Sequence, residues 1–117
     1  MENVIEELTK KIIQFRDNRD WKQFHNPKDL AISLGIEAGE LLECFQWKTN
    51  EEIKELLQSE KKIKVQEEIA DVAMYLLFLC NETNINLEEA ILDKIKKNEE
   101  KYPVSKSKGN AKKYNEL

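Results

Sequence analysis

A chain of 117 residues with 40% hydrophobic and 36% charged side chains, three glycines and two prolines is one domain of ordinary size. That mixture suits long amphipathic helices and excludes a loop-rich or all-β fold. The formal net charge of −4 offers no overall attraction for a polyanion, so no nucleic acid polymer is expected as a partner. Any phosphate chemistry must rest on local lysines or on metal ions. No apolar run reaches membrane-spanning length and the N-terminus carries no signal-peptide pattern, so the expectation is a soluble cytoplasmic protein without a membrane partner. Cys44 and Cys80, far apart and each in an apolar stretch, read as buried small hydrophobes and not as a disulfide framework or zinc site.

The spacing of Val4, Leu8, Ile12 and Phe15, widened by Ile5 and Ile13, predicts a first helix from Asn3 to about Asp17. A polar connector from Arg16 to Asn26 then breaks the pattern. It holds Trp21, Phe24 and the single histidine, His25. Two readings fit it: the aromatics plug the end of the core while His25 is solvated, or they form the aromatic wall of a ligand pocket. Asn26-Pro27 starts a second helix that runs to about Trp47, with Ala31, Leu34, Ala38, Leu41, Leu42 and Phe45 as its apolar stripe. Glu37, Glu40 and Glu43 form an acidic row beside that stripe.

Thr49 or Asn50 caps a short third helix through Ile53, Leu56 and Leu57, and Lys61 to Lys64 leads into the central helix. From Glu67 to Cys80 this helix is apolar on every side after Glu68 except at Asp71. Such a helix is buried in a core or between subunits. Asp71 is therefore expected near the core with a cationic partner, because a buried carboxylate must be paired or bound to metal. Another helix begins at Asn86 and stops at Tyr102-Pro103. The chain divides into a helical domain, 1–103, and a basic polar tail, 104–117, which is either a flexible solvated end or a flap over a phosphate ligand. The fold expected is all-α: a compact bundle of four to five helices that needs an oligomer to bury its central helix.

Two helices each carry a carboxylate pair at i, i+3: Glu37 with Glu40, and Glu68 with Asp71. Residues three apart share a helix face, roughly 4.5 Å apart along the axis. Two such helices packed antiparallel converge the carboxylates on one point, an oxygen donor set suited to Mg²⁺ or Mn²⁺. A solvated acidic face is the competing explanation. A di-iron carboxylate centre is a poor fit, since no Glu-x-x-His motif is present.

The segments Arg19-Asp20-Trp21…Phe24-His25, Gly35-Ile36-Glu37-Ala38-Gly39-Glu40-Leu41, Phe45-Gln46-Trp47, Glu67-Glu68-Ile69-Ala70-Asp71-Val72 and Asn98…Lys101-Tyr102-Pro103 resemble the MazG-like all-α nucleotide pyrophosphohydrolases, closest to the dCTP pyrophosphatase branch. The resemblance covers nearly the whole chain in the same order, and Lys112-Lys113-Tyr114 also fits it. It implies Mg²⁺-dependent hydrolysis of a nucleoside triphosphate, dCTP or a modified dCTP, between the α- and β-phosphates. It further implies that Glu37, Glu40, Glu68 and Asp71 serve as metal ligands, with Mn²⁺ a possible substitute for Mg²⁺, and that Trp21, His25, Trp47 and Tyr75 line the nucleotide pocket. Asn98 and the C-terminal lysines are the implied sugar or phosphate contacts. A homodimer or dimer-of-dimers tetramer is the implied assembly, with sites formed at subunit interfaces. One departure stands out: some dCTP-preferring relatives carry a substrate-contacting histidine on the first helix where this chain has Ile12, which leaves the base preference open. The alternative to an enzyme is a non-catalytic nucleotide-binding or helical dimerisation module on the same fold.

Overall fold

The structure, a computed structural model, describes residues 3–117. Six α-helices follow one another with no strand among the described residues: α1 (Val4–Asp17), α2 (Pro27–Glu43), α3 (Asn50–Leu57), α4 (Lys62–Thr83), α5 (Leu87–Lys101) and the single turn α6 (Val104–Ser107). Short 3₁₀ turns occupy Lys22–Phe24 and Tyr114–Glu116. The all-α expectation is borne out. The chain forms two units, Met1–Ile85 and Asn86–Leu117.

Local chemistry sets most helix starts. Side-chain oxygens of Asn3, Asn26 and Asn86 each accept a hydrogen bond from a backbone N–H three residues on, at 2.9, 2.9 and 3.0 Å. Thr49 and Glu52 make a reciprocal capping box at 3.1 and 3.3 Å, which fixes Thr49 as the cap of α3. Asn84, at φ 57°, turns the chain out of α4 while the Ile85 N–H returns to the Cys80 carbonyl.

Two helix ends differ from expectation. α2 stops at Glu43, not near Trp47: the N–H groups of Cys44 and Phe45 bond three residues back, and Trp47 adopts a left-handed backbone at φ 66°. That conformation is strained for a residue with a side chain, and it cannot continue a right-handed helix. α4 instead begins earlier than its apolar run, at Lys62, so its first turns are polar.

In the first unit α4 is the hub against which both α2 and α1 pack. Leu30, Val65 and Phe78 are the buried apolar residues of this contact. Arg16 is buried with them at 3% exposure, and its guanidinium reaches Glu82 at 2.9 Å and Asp17 at 2.9 Å. A buried arginine at the end of α1 is thus neutralised by a carboxylate 66 positions away. α4 is not covered on all sides: Ile69 is 53% exposed in the single chain, and Ala70 and Ala73 are exposed as well.

In the second unit the tail stays largely exposed, and its Tyr114 folds back on the end of α5. Tyr102 and Tyr114 meet edge to face with ring centres 6.2 Å apart, and the Lys101 ammonium lies 4.9 Å over the Tyr114 ring.

Candidate active site

Packing α2 on α4 joins the two acidic faces. Ligand oxygens of Glu37, Glu40 and Glu68 all lie within 4.8 Å of one another. Asp71, one turn further along α4, is half-buried and adds its negative charge to the same neighbourhood without joining the triplet. The buried carboxylate on α4 is therefore Glu68, 4% exposed, and not Asp71. The cation expected for Asp71 serves Glu68 instead: Lys64, one turn earlier, places its ammonium 2.6 Å from Glu68 Oε1. Asp71 has no ion-pair partner among the described residues.

The cluster is short of positive charge. Oε2 of Glu37 and Oε2 of Glu68 are both buried and accept no hydrogen bond. Burial first, then a shared hydrogen bond with Glu40 and the charges of Glu40, Asp71 and Glu68, raise the Glu37 carboxyl from 4.5 to about 7. Two unpartnered carboxylate oxygens beside a third carboxylate are the donor set a hard divalent cation takes, with water completing its shell. The residues present fit Mg²⁺ or Mn²⁺.

Beside this cluster the connector after α1 builds an aromatic cavity of about 280 Å³, lined by Trp21, Phe24, His25 and Tyr75 with Asp29 and Ser33. Its histidine is half-buried. The His25 ring stacks edge-on to Phe78 with centres 4.6 Å apart, and its Nδ1 is buried without a partner. Trp21 and Phe24 stay substantially exposed, so they form a wall and not a plug. Tyr75 connects the two features: it lines the cavity, while burial and then the charges of Glu37, Asp71 and Glu40 raise its phenol pKa.

Burial, and then the nearby Arg16 charge, lower the His25 pKa below 6.5 against an opposing pull from Glu82. A native state that resists protonation binds fewer protons than the unfolded chain, so His25 should withdraw stability as pH falls below 6.5. An NMR titration of this single histidine is expected to show a midpoint below 6.5. A midpoint above that value would contradict the burial.

Trp47 does not line this cavity in the single chain; it is 92% exposed in the turn beyond the C-terminal end of α2. Asn98 lies exposed on α5 in the second unit, as do Lys106, Lys108, Lys112 and Lys113 in the tail. Sequence reasoning missed Lys64, although its i, i+4 spacing to Glu68 is the signature of a helical ion pair. It also missed the burial of Arg16.

The chain matches the MazG-like family over residues 32–117. It is 38% identical to rat (Rattus norvegicus) dCTP pyrophosphatase 1 over 117 residues, 99% of this chain and 69% of the relative. Identity to the human (Homo sapiens) dCTP pyrophosphatase 1 is 36% over the same span. Among solved structures, a pyrophosphatase from Archaeoglobus fulgidus DSM 4304 superposes with a TM-score of 0.80 at 49% identity, covering 88% of this chain and 95% of that one. The paired carboxylates on two packed helices, the aromatic cavity beside them and these likenesses agree. The chain belongs to the MazG-like family.

Proposed function

We propose that the protein is a Mg²⁺-dependent nucleotide pyrophosphohydrolase that converts a (deoxy)nucleoside triphosphate and water to the monophosphate and pyrophosphate, with dCTP or a modified dCTP as substrate. The observation that carries this reading is the pair of buried, unpartnered oxygens on Glu37 and Glu68 within a triplet of converging carboxylates. The names of the curated relatives support the substrate.

Carboxylates cannot meet a triphosphate directly, since like charges repel. Glu37, Glu40, Glu68 and Asp71 are the residues that would hold the metal. A bound divalent ion screens the phosphate oxygens and makes water more acidic. Within the chain, the Glu37–Glu40 pair supplies an oxygen to take the proton of the attacking water. Trp21, His25 and Tyr75 hold the nucleoside in the aromatic cavity, where stacking tolerates any base and polar edges select among them.

In this reading the working unit is a homodimer or a dimer of dimers. Ile32, Ile36 and Leu42 on α2, Ile63 and Ile69 on α4, and Trp47 are each more than half exposed in one chain, a large apolar surface for a monomer to leave in water. Trp47 then reaches the nucleotide pocket across a subunit interface. None of the helices among the described residues is long and apolar enough to cross a membrane, and cytoplasmic action is proposed.

A panel of canonical and modified dNTPs and NTPs tests the substrate class. Cytosine nucleotides are expected to rank first; a flat ranking would show that the chain with Ile12 on α1 does not select the base. Trp21→Ala is expected to raise KM about tenfold with a smaller effect on kcat, as removal of a stacking contact does. An unchanged KM would take Trp21 out of the pocket.

A further inference from the structure

Lys64 has carboxylates on one side and a second cavity on the other. The carboxylate side is lined by Glu40, Glu43, Cys44, Lys64 and Glu68. The second cavity, of about 280 Å³, is lined by Cys44, Lys48, Leu56, Lys61, Lys64 and Val65, so the two spaces share Cys44 and Lys64 as a common wall. Three lysines around one cavity run against the acidic balance of the chain. Lys64 is tied to Glu68, but the ammonium groups of Lys48 and Lys61 have no ion-pair partner among the described residues.

The backbone assembles this cluster locally. The left-handed turn at Trp47 ends α2 and is followed directly by Lys48, while Lys61 is the N-cap of α4, whose dipole adds positive potential there. Leu56 and the buried Val65 give the cavity an apolar lining beneath the three exposed lysines.

The three features also follow one another in a chemically sensible order. The aromatic cavity shares Tyr75 with the field of Glu37, Asp71 and Glu40, and the carboxylates share Lys64 with the lysine cavity. Base, α–β bridge and terminal phosphates come in the same order along a nucleoside triphosphate. We propose that the Lys48–Lys61–Lys64 cavity seats the β- and γ-phosphates of the substrate, the part that departs as pyrophosphate. The proposal rests on the pyrophosphohydrolase reading above and adds to it a seat for the leaving group. Lys64 holds Glu68 in the metal-free protein and turns to the phosphates once a divalent ion takes its place.

The test is binding of inorganic pyrophosphate, with Mg²⁺ present, to the full chain and to Lys48→Met, Lys61→Met and the double variant. Lys54→Met, which removes an exposed lysine of α3 paired with Glu51 outside the cavity, is the charge control. Melting temperature and Mn²⁺ affinity are recorded for each, and nucleotide turnover by the wild type is measured in parallel. Each cavity lysine removed should weaken pyrophosphate binding about tenfold, while Lys54→Met stays within about twofold and Mn²⁺ affinity holds. A double variant that binds pyrophosphate as the wild type does overturns the subsite, and if the wild type still hydrolyses nucleotides the pyrophosphohydrolase reading survives that loss. Lysine-dependent pyrophosphate binding in a protein that turns over no nucleotide has the opposite meaning: the subsite stands and the hydrolase reading falls.

Discussion

Glu37→Gln is expected to weaken Mn²⁺ or Mg²⁺ binding by at least about 100-fold, to reduce turnover at least as much, and still to raise the melting temperature of the metal-free protein at pH 8. The glutamine keeps an oxygen in place but removes one charge from a cluster with too many. The sign follows from the raised pKa of Glu37, from 4.5 to about 7. Between those values the native state binds more protons than the unfolded chain, so wild-type stability falls as pH rises through that window and the loss is complete above about 7. The glutamine variant lacks that loss, and a gain of about 5 °C at pH 8 should shrink towards zero near pH 4.5. Loss of function with a gain in stability is how a site built for a cation behaves without it. Unchanged Mn²⁺ affinity in this variant would remove Glu37 from the metal centre.

The largest effect on stability is expected at Arg16, outside the acidic cluster. Arg16→Met should cost about 3–5 kcal/mol in urea denaturation, because it strands Glu82 in a partly buried position without its counter-charge. That is a large share of the ~5–15 kcal/mol that holds an ordinary domain together. The double variant Arg16→Met/Glu82→Leu should recover most of the loss, since what costs energy is the orphaned charge and not the missing pair. The single variant should also raise the His25 pKa, as the Arg16 charge that depresses it is gone and the Glu82 charge remains. A single variant costing less than about 1 kcal/mol would mean that water reaches Glu82 freely.

The outline of the molecule was legible in its sequence where the cause is local. Apolar spacing and the asparagine and threonine caps place α1, α3 and α5 closely, because a cap acts within one turn of its own helix. The carboxylate pairs were legible for the same reason: i, i+3 spacing fixes which residues share a face. Which of the four carboxylates is buried was not legible. That depends on the contact of α4 with α2, and it put Glu68 inside and Asp71 half-out despite the apolar run around Asp71. Arg16 sits in a segment that reads as polar connector, and only a partner 66 residues on makes its burial tolerable. The end of α2 was misplaced because the left-handed turn at Trp47 leaves no mark in hydrophobic periodicity.

The most direct test of the carboxylate cluster as a metal centre for phosphate-ester chemistry is the product distribution from dCTP, followed by phosphorus NMR with Mg²⁺ and again after EDTA. Formation of dCMP and pyrophosphate with Mg²⁺, and of neither after EDTA, is the predicted result. Release of orthophosphate, or turnover that EDTA leaves untouched, would contradict it.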